Sequence, residues 1–168
     1  GSEMCIRDSP TSDLIEFLNP LGSDNAYYLD TGWVSSDSTI ELPDSNSIWS
    51  ADKNSIGVND PVKLTWTSGQ NITFEKIISL DENYLFNVDQ RVINNSGLSF
   101  DLYPYGLSKR QGIPEMQNFF ILHEGPLSIT DGVLEEYDYD DLKDDKKIKH
   151  SSVGGWIGMT DKYWQTAI

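Results

Sequence analysis

The sequence predicts a mainly β protein of the sandwich class, with one or two short helices. Two observations carry that expectation. From Val62 to Tyr105, apolar residues recur on even positions: Val62, Leu64, Trp66, Ile72, Phe74, Ile78, Leu80, Tyr84, Phe86, Val88, Val92, Leu98, Phe100 and Leu102, with Lys76 as the exception within Ile72 to Leu80. Short polar breaks divide this stretch at Ser68-Gly69-Gln70, Asp81-Glu82-Asn83 and Asn95-Ser96-Gly97. Period-two alternation between such breaks marks consecutive antiparallel strands with one buried face. The expectation is a four-stranded meander over Val62 to Tyr105. Its apolar face must lie against a second layer.

The other elements follow in chain order. Residues 1–12 contain GSEMCIRDSP, lack periodicity and hold the only cysteine, Cys5. They read as a non-native or disordered head, which leaves 13–168 as the folded part. Ile15-Glu16-Phe17-Leu18 and Ala26-Tyr27-Tyr28-Leu29 read as strands around the turn Asn19-Pro20-Leu21-Gly22. Thr31-Gly32-Trp33-Val34 reads as a separate edge piece. Residues 35–47 are rich in Ser, Asp and Pro and read as a loop. Ile48-Trp49 is a brief strand or anchor.

Beyond the meander, Pro104 removes a ladder donor, so the fourth strand should end, bulge or lie at an edge there. Residues 106–118 read as a loop holding Lys109-Arg110, which could meet an acidic partner and reads more simply as a solvated basic pair. Phe119 to Leu122 is an apolar run. Leu127 and Ile129 alternate with Ser128 and Thr130, Asp131-Gly132 signals a hairpin, and Val133-Leu134 begins the return strand. Tyr137 to Lys147 predicts a short helix, with acids near its start and lysines near its end. Ile148 to Ser152 reads as a strand, broken by Gly154-Gly155. Trp156, Ile157 and Met159 form another apolar run. Asp161 is expected to cap a one-turn helix through Lys162, Tyr163 and Trp164. A further strand begins at Ile168, which suggests a piece of a longer protein.

Composition narrows the function. The chain has 168 residues and a formal charge of -15 from 27 acids and 12 bases. Neutralising phosphates needs a basic face, so nucleic-acid binding is disfavoured, as is close contact with an anionic membrane surface. One cysteine permits no internal disulfide, which suits either a reducing compartment or a domain large enough to need no staple. No apolar run approaches the roughly 18 residues that span a bilayer.

Catalytic signals are weak. The acidic stretch Glu135 to Asp145 fails the calcium-loop pattern, because Leu142 and Lys143 stand where an acid and a glycine belong. His123 and Glu124 are adjacent, so on a strand they face opposite ways. An acid–base pair would need one of the two histidines, His123 or His150, to meet a distant carboxylate; a structural histidine is the simpler reading. No nucleophile elbow, phosphate loop, paired-cysteine metal site or zinc-protease motif is present. The aromatics Trp66, Phe74, Tyr84, Phe86 and Phe100 read as core.

One segment resembles a known family. Ser151 to Trp164 reads SSVGGWIGMTDKYW, and it is similar to the GGW-(I/L)-G-(I/M)-TDKYW signature in the periplasmic domain of the YidC membrane-protein insertase family. The stretch Leu64 to Gln111, with its T-F-x-K-x-x-x-L core at Thr73 to Leu80, also resembles that family. So do Gly125-Pro126-Leu127 through Gly132 and Tyr139-Asp140-Asp141-Leu142. The resemblance implies a twisted antiparallel β super-sandwich, similar to the galactose-mutarotase-like fold. It implies an inner-membrane protein of a Gram-negative bacterium, with a transmembrane helix before this domain and the insertase helices after it. The domain itself would be an accessory module facing the periplasm. Its partners would be SecDF of the Sec translocon and nascent membrane proteins.

No catalytic, cofactor or metal residue is implied. The signature residues Gly154, Gly155, Trp156, Gly158, Thr160, Asp161, Lys162, Tyr163 and Trp164 would serve structure or contact. Strands that the family carries before about Asp13 and after Ile168 are missing here, so 13–168 is expected to be a partial domain with unpaired edges. The second sheet covering the meander would come from the early short strands, the Leu127 to Leu134 hairpin and the missing strands. The alternative function is a carbohydrate-binding or aldose-epimerase-like domain on the same fold, since fold alone does not decide function. Its mark would be a histidine within about 3 to 5 Å of a carboxylate in a concave pocket.

Overall fold

The computed structural model describes residues 5–6, 15–114, 123–145 and 147–168. The predicted apolar run Phe119 to Leu122 and most of the head lie outside them. Twelve strands and one helix are present among the described residues, and the pairings given by register are antiparallel. The chain divides into two compact units, one of residues 1–30 with 106–168 and one of residues 31–105.

The second unit holds the meander. β4 (Ser50–Ala51), β5 (Val62–Thr67), β6 (Ile72–Leu80) and β7 (Phe86–Asn94) form one sheet in that order. The β5–β6 turn is closed by Ser68, whose backbone N–H donates to the Ile72 carbonyl at 2.9 Å. Asn71 sits there at φ 63°, a conformation that asparagine tolerates better than most residues. Alternation places Ile72 and Phe74 on the inner face, both almost wholly buried. Trp33 lies 5.0 Å from the Phe74 ring and Trp66 lies 5.7 Å from it. Ile40, Leu42, Trp49, Val92, Phe100 and Leu102 complete this core.

Three expectations change here. The meander has three long strands, not four. Residues 98–102 form no strand, although Phe100 and Leu102 still turn inward to the core. The next strand, β8 (Tyr103–Arg110), runs through Pro104 and pairs with β3 (Tyr27–Val34) in a two-stranded sheet. Each strand of a two-stranded sheet keeps one edge free, so a proline without its N–H can be accommodated. Residues 106–110 are therefore strand rather than loop. β3 also joins Tyr27–Leu29 and Thr31–Val34, which sequence reading separates.

Tyr84 and Phe86 are not core. They are 69% and 39% exposed: Tyr84 lies in the β6–β7 turn at φ 63°, and Phe86 opens the edge strand β7. The polar loop 35–47 contributes to the core instead. Gln70 accepts from the Glu41 N–H at 2.9 Å and donates to the Thr39 carbonyl at 2.7 Å, while Glu41 accepts from the Gly69 N–H at 2.7 Å. These bonds stitch the loop to the β5–β6 turn and hold Ile40 inside.

In the first unit, β1 (Cys5–Ile6) pairs with β2 (Ile15–Glu16). A second sheet runs β10-β9-β11-β12, from β9 (Gly125–Thr130), β10 (Val133–Glu136), β11 (Gly155–Thr160) and β12 (Gln165–Ala167). The Asp131-Gly132 hairpin forms as expected, with both residues at positive φ, 52° and 83°, and Val133 opposite Thr130. That is the signature of the two-residue turn whose twist matches the strands. Helix α1 (Tyr139–Asp145) also forms. The Asp141 carboxylate accepts from the Asp138 N–H at 2.9 Å, reaching back to cap the first turn. Ile148 to Ser152 is not a strand: the segment is held by side chains rather than by a ladder.

Phe74→Ala should cost about 3 to 5 kcal/mol of stability by urea denaturation, because the ring is fully buried. Phe86→Ala, by contrast, should cost less than about 1 kcal/mol.

Candidate functional site

The segment Gly154 to Trp164 forms β11 and the turn that leads into β12. Its glycines have different reasons to be glycine. Gly155 lies at φ 124°, and a Cβ there would fall far inside the contact distance of the Ile129 carbonyl on β9. A Cβ at Gly158 would clash in the same way with the Thr166 carbonyl on β12. β11 is the inner strand between these two neighbours, so both contacts are backbone and neither can swing away. Gly154 meets nothing within 4 Å.

The turn 161–164 is not a capped helix. Thr160 pairs with Gln165, and the Asp161 N–H donates to the Trp164 carbonyl at 2.8 Å, so the segment is a tight connection between β11 and β12. Strand pairing on both sides takes precedence over helix propensity in a four-residue link. The Asp161 carboxylate is therefore free of capping and accepts from Arg110 Nη1 at 2.7 Å. Arg110 also donates to the Tyr139 hydroxyl at 3.2 Å and lies 4.4 Å above the Tyr27 ring. The Tyr27 and Thr166 hydroxyls are 2.8 Å apart. Trp164 stacks on Phe17 at 4.5 Å, and Lys162 sits 4.9 Å over the Tyr163 ring. Trp156 and Thr160 are half-buried along β11.

Arg110 is thus half-buried and paired, not half of a solvated basic pair; Lys109 stays exposed. Burial pulls the Arg110 guanidinium down, but the Asp161 hydrogen bond and charge, with Tyr139, outweigh it and hold it above its ordinary value. Burial pushes the Tyr27 hydroxyl up, the Thr166 bond opposes that, and the Asp161 charge adds to it. Burial likewise raises Tyr139 against the pull of Arg110. Phenols held above their usual range stay protonated and make poor bases.

Both histidines meet partners. His123 Nε2 lies 3.0 Å from the Pro126 carbonyl. His150 Nδ1 lies 3.2 Å from Glu135, so the distance part of the acid–base expectation is met. Its Nε2, however, lies 2.8 Å from the Tyr137 hydroxyl. Glu135 also accepts from Thr130 at 3.3 Å. Both ring nitrogens are therefore engaged, by Glu135 on β10 and by Tyr137 in the link between β10 and α1. Among the described residues, no group of three or more His, Cys, Asp or Glu is placed to hold a metal ion. No helix of the described residues is long and apolar enough to cross a membrane.

The sequence matches the YidC periplasmic domain family over residues 7–168. The chain belongs to that family. It is 41% identical over 158 residues to the membrane protein insertase YidC of Pelagibacter ubique, covering 94% of this chain and 28% of that protein. It is 38% identical over 177 residues to the YidC of Granulibacter bethesdensis, covering 99% and 31%. A similar 38% identity over 161 residues links it to the YidC of Rickettsia typhi, covering 95% and 29%. The chain spans less than a third of the length of these curated relatives. The segment Gly154 to Trp164 that resembles this family covers the inner strand β11 and the 161–164 turn, where Asp161 pairs with Arg110.

Sequence reading did not single out Tyr27 or Tyr139, gave Arg110 no partner within the chain, and named His150 without finding Glu135 or Tyr137 as its partners. These partners lie far apart along the chain, and Gly106, Ser108 and Arg110 alternate without an apolar residue to betray a strand.

Gly158→Ala should lower stability by about 2 kcal/mol or more, whereas Gly154→Ala should change it by less than about 0.5 kcal/mol. Denaturant melts of the two variants separate these outcomes. The alkaline limb offers a second check. Tyr27 and Tyr139 are raised above 10.0 in the fold, so the unfolded chain releases these protons first as pH rises. Stability is then intact below pH 10 and declines above it. In Tyr27→Phe, the loss of melting temperature per pH unit above 10 should be smaller.

Proposed function

We propose that this chain is a non-enzymatic accessory part of the periplasmic domain of an inner-membrane insertase in a Gram-negative bacterium. It supports membrane-protein insertion and folding through protein contacts, with SecDF of the Sec translocon and with nascent membrane proteins. The family match over residues 7–168 carries this reading. The signature residues from Gly154 to Trp164 act by holding β11 and its turn in shape.

The site's chemistry supports the same reading. Arg110 and Asp161 satisfy each other, and His150 is held at both nitrogens. An aldose-epimerase-like role needs an imidazole free to move a proton at a sugar carbon or oxygen. Here the imidazole near a carboxylate is spent on Tyr137 and Glu135.

Deleting residues 13–168 from the parent insertase should reduce the SecDF that copurifies with it while leaving the membrane helices in place. Unchanged copurification would remove the contact role. Mutarotation accelerated by the purified chain, and abolished in His150→Ala, would favour the sugar reading instead.

A further inference from the structure

The turn between β9 and β10 carries a chemical liability found nowhere else in the sequence. Asp131-Gly132 is the only Asp-Gly pair in the chain, and no Asn-Gly pair is present. In such a pair the glycine amide nitrogen can attack the aspartyl side-chain carbon, because glycine has no side chain to obstruct the approach. Both residues are exposed, and nothing lies within 4 Å of the place where a Cβ on Gly132 would stand. Sequence and exposure therefore both favour cyclisation at this turn.

The opposing restraint comes from residues 152 and 153. The Asp131 N–H donates to Ser152 Oγ at 3.0 Å. The Asp131 carboxylate accepts from that hydroxyl at 2.9 Å and from the Val153 N–H at 3.3 Å, both at Oδ1. Ser152 Oγ also reaches the Gly154 carbonyl, so its one hydrogen is shared between two acceptors. The Val153 bond holds the carboxylate whichever way the hydroxyl points. Asp131 is thus tied at its N–H and at its side chain. To reach the Gly132 nitrogen, the side chain must give up these bonds and turn back on its own main chain. The segment that supplies them forms no ladder. Its other anchor is His150, held 3.2 Å from Glu135 and 2.8 Å from the Tyr137 hydroxyl.

We propose that Asp131-Gly132 is a site of spontaneous aspartyl isomerisation, and that Ser152 and Val153 hold it in check. The step needs no cofactor. The carboxylate takes up a proton from solvent, and the Gly132 nitrogen bonds to Asp131 Cγ. The hydrogen of that nitrogen leaves with the carboxyl hydroxyl as water. Water then adds to the ring at the former main-chain carbonyl carbon and breaks its bond to the Gly132 nitrogen. The product is an isoaspartyl link: the main chain runs through Cβ and Cγ, and the carboxylate stands on Cα. One atom is thereby added to the two-residue turn that sets Val133 opposite Thr130. Loop length fixes the register of a hairpin, so the β9–β10 pairing is disturbed. The carboxylate that anchors residues 152 and 153 is displaced at the same time. The proposal does not depend on the insertase reading.

Peptide mapping of the 168-residue chain, incubated near neutral pH, tests it, with fragmentation that separates isoaspartyl from aspartyl linkages. In the fold, position 131 should isomerise at least about tenfold more slowly than in the same chain unfolded in urea, because a hydrogen bond to a charged group is worth roughly that factor. Ser152→Ala should recover most of the difference while the chain keeps its melting temperature. Val153→Pro, which removes the other donor, should also speed the reaction and serves the same comparison if S152A does not fold. Ser152→Thr keeps the hydroxyl and Ser151→Ala leaves these bonds in place, so both should isomerise as slowly as the wild type. Equal rates in the folded and unfolded wild-type chain would overturn the proposal. A folded S152A or V153P chain that isomerises no faster than wild type would overturn it too, and so would S152T as fast as S152A.

Discussion

The packing of Trp33 and Trp66 against Phe74 is the contact on which the 31–105 unit depends. Phe74 exposes no surface, and the three rings come from β3, β5 and β6. Aromatic pairs at these separations add about 0.5 to 1.5 kcal/mol beyond their buried area. The larger effect is geometric. Fixing Phe74 inward fixes the side of every residue on β6, because a one-residue slip would send the whole apolar set to solvent. β5 and β7 then inherit their register from β6. What the strands leave uncovered is filled by a loop: Ile40 enters the core because Gln70 and Glu41 exchange bonds with the neighbouring backbone.

In the other unit the same role falls to backbone proximity. β11 lies between β9 and β12 so closely that Gly155 and Gly158 have carbonyls where a side chain would begin. The turn that follows places Asp161 beside Arg110. A half-buried charge without a partner would be costly, so the pair explains why an arginine can sit over the Tyr27 ring. The Gly154 to Trp164 segment is thus accounted for mostly by how one strand and one turn are built. A contact role for it is part of the proposed function and rests on the family, not on this geometry.

Edges connect the fold to association. A covered strand such as β6 has spent its backbone groups, whereas β7 has half of its groups pointing outward. Such a row is a template for another strand.

The sequence by itself determined the mainly β class, the β5–β6–β7 meander, the Asp131-Gly132 hairpin and the short helix, because each is written in neighbours two to five residues apart. Resemblance of the Gly154 to Trp164 run supplied the family. Tertiary structure decided the rest. Pro104 by itself allows a strand end, a bulge or an edge, and only the pairing of β8 with β3 makes it an edge. Asp161 looked like a helix cap, but the pairing of Thr160 with Gln165 left only a turn. Tyr84 and Phe86 carried the right alternation and still point to solvent, because alternation says which side a residue faces and not whether anything covers that side. The Arg110–Asp161 and Glu135–His150 pairs join positions 51 and 15 residues apart. Pairing of that kind is set by where strands meet, and no local pattern encodes it.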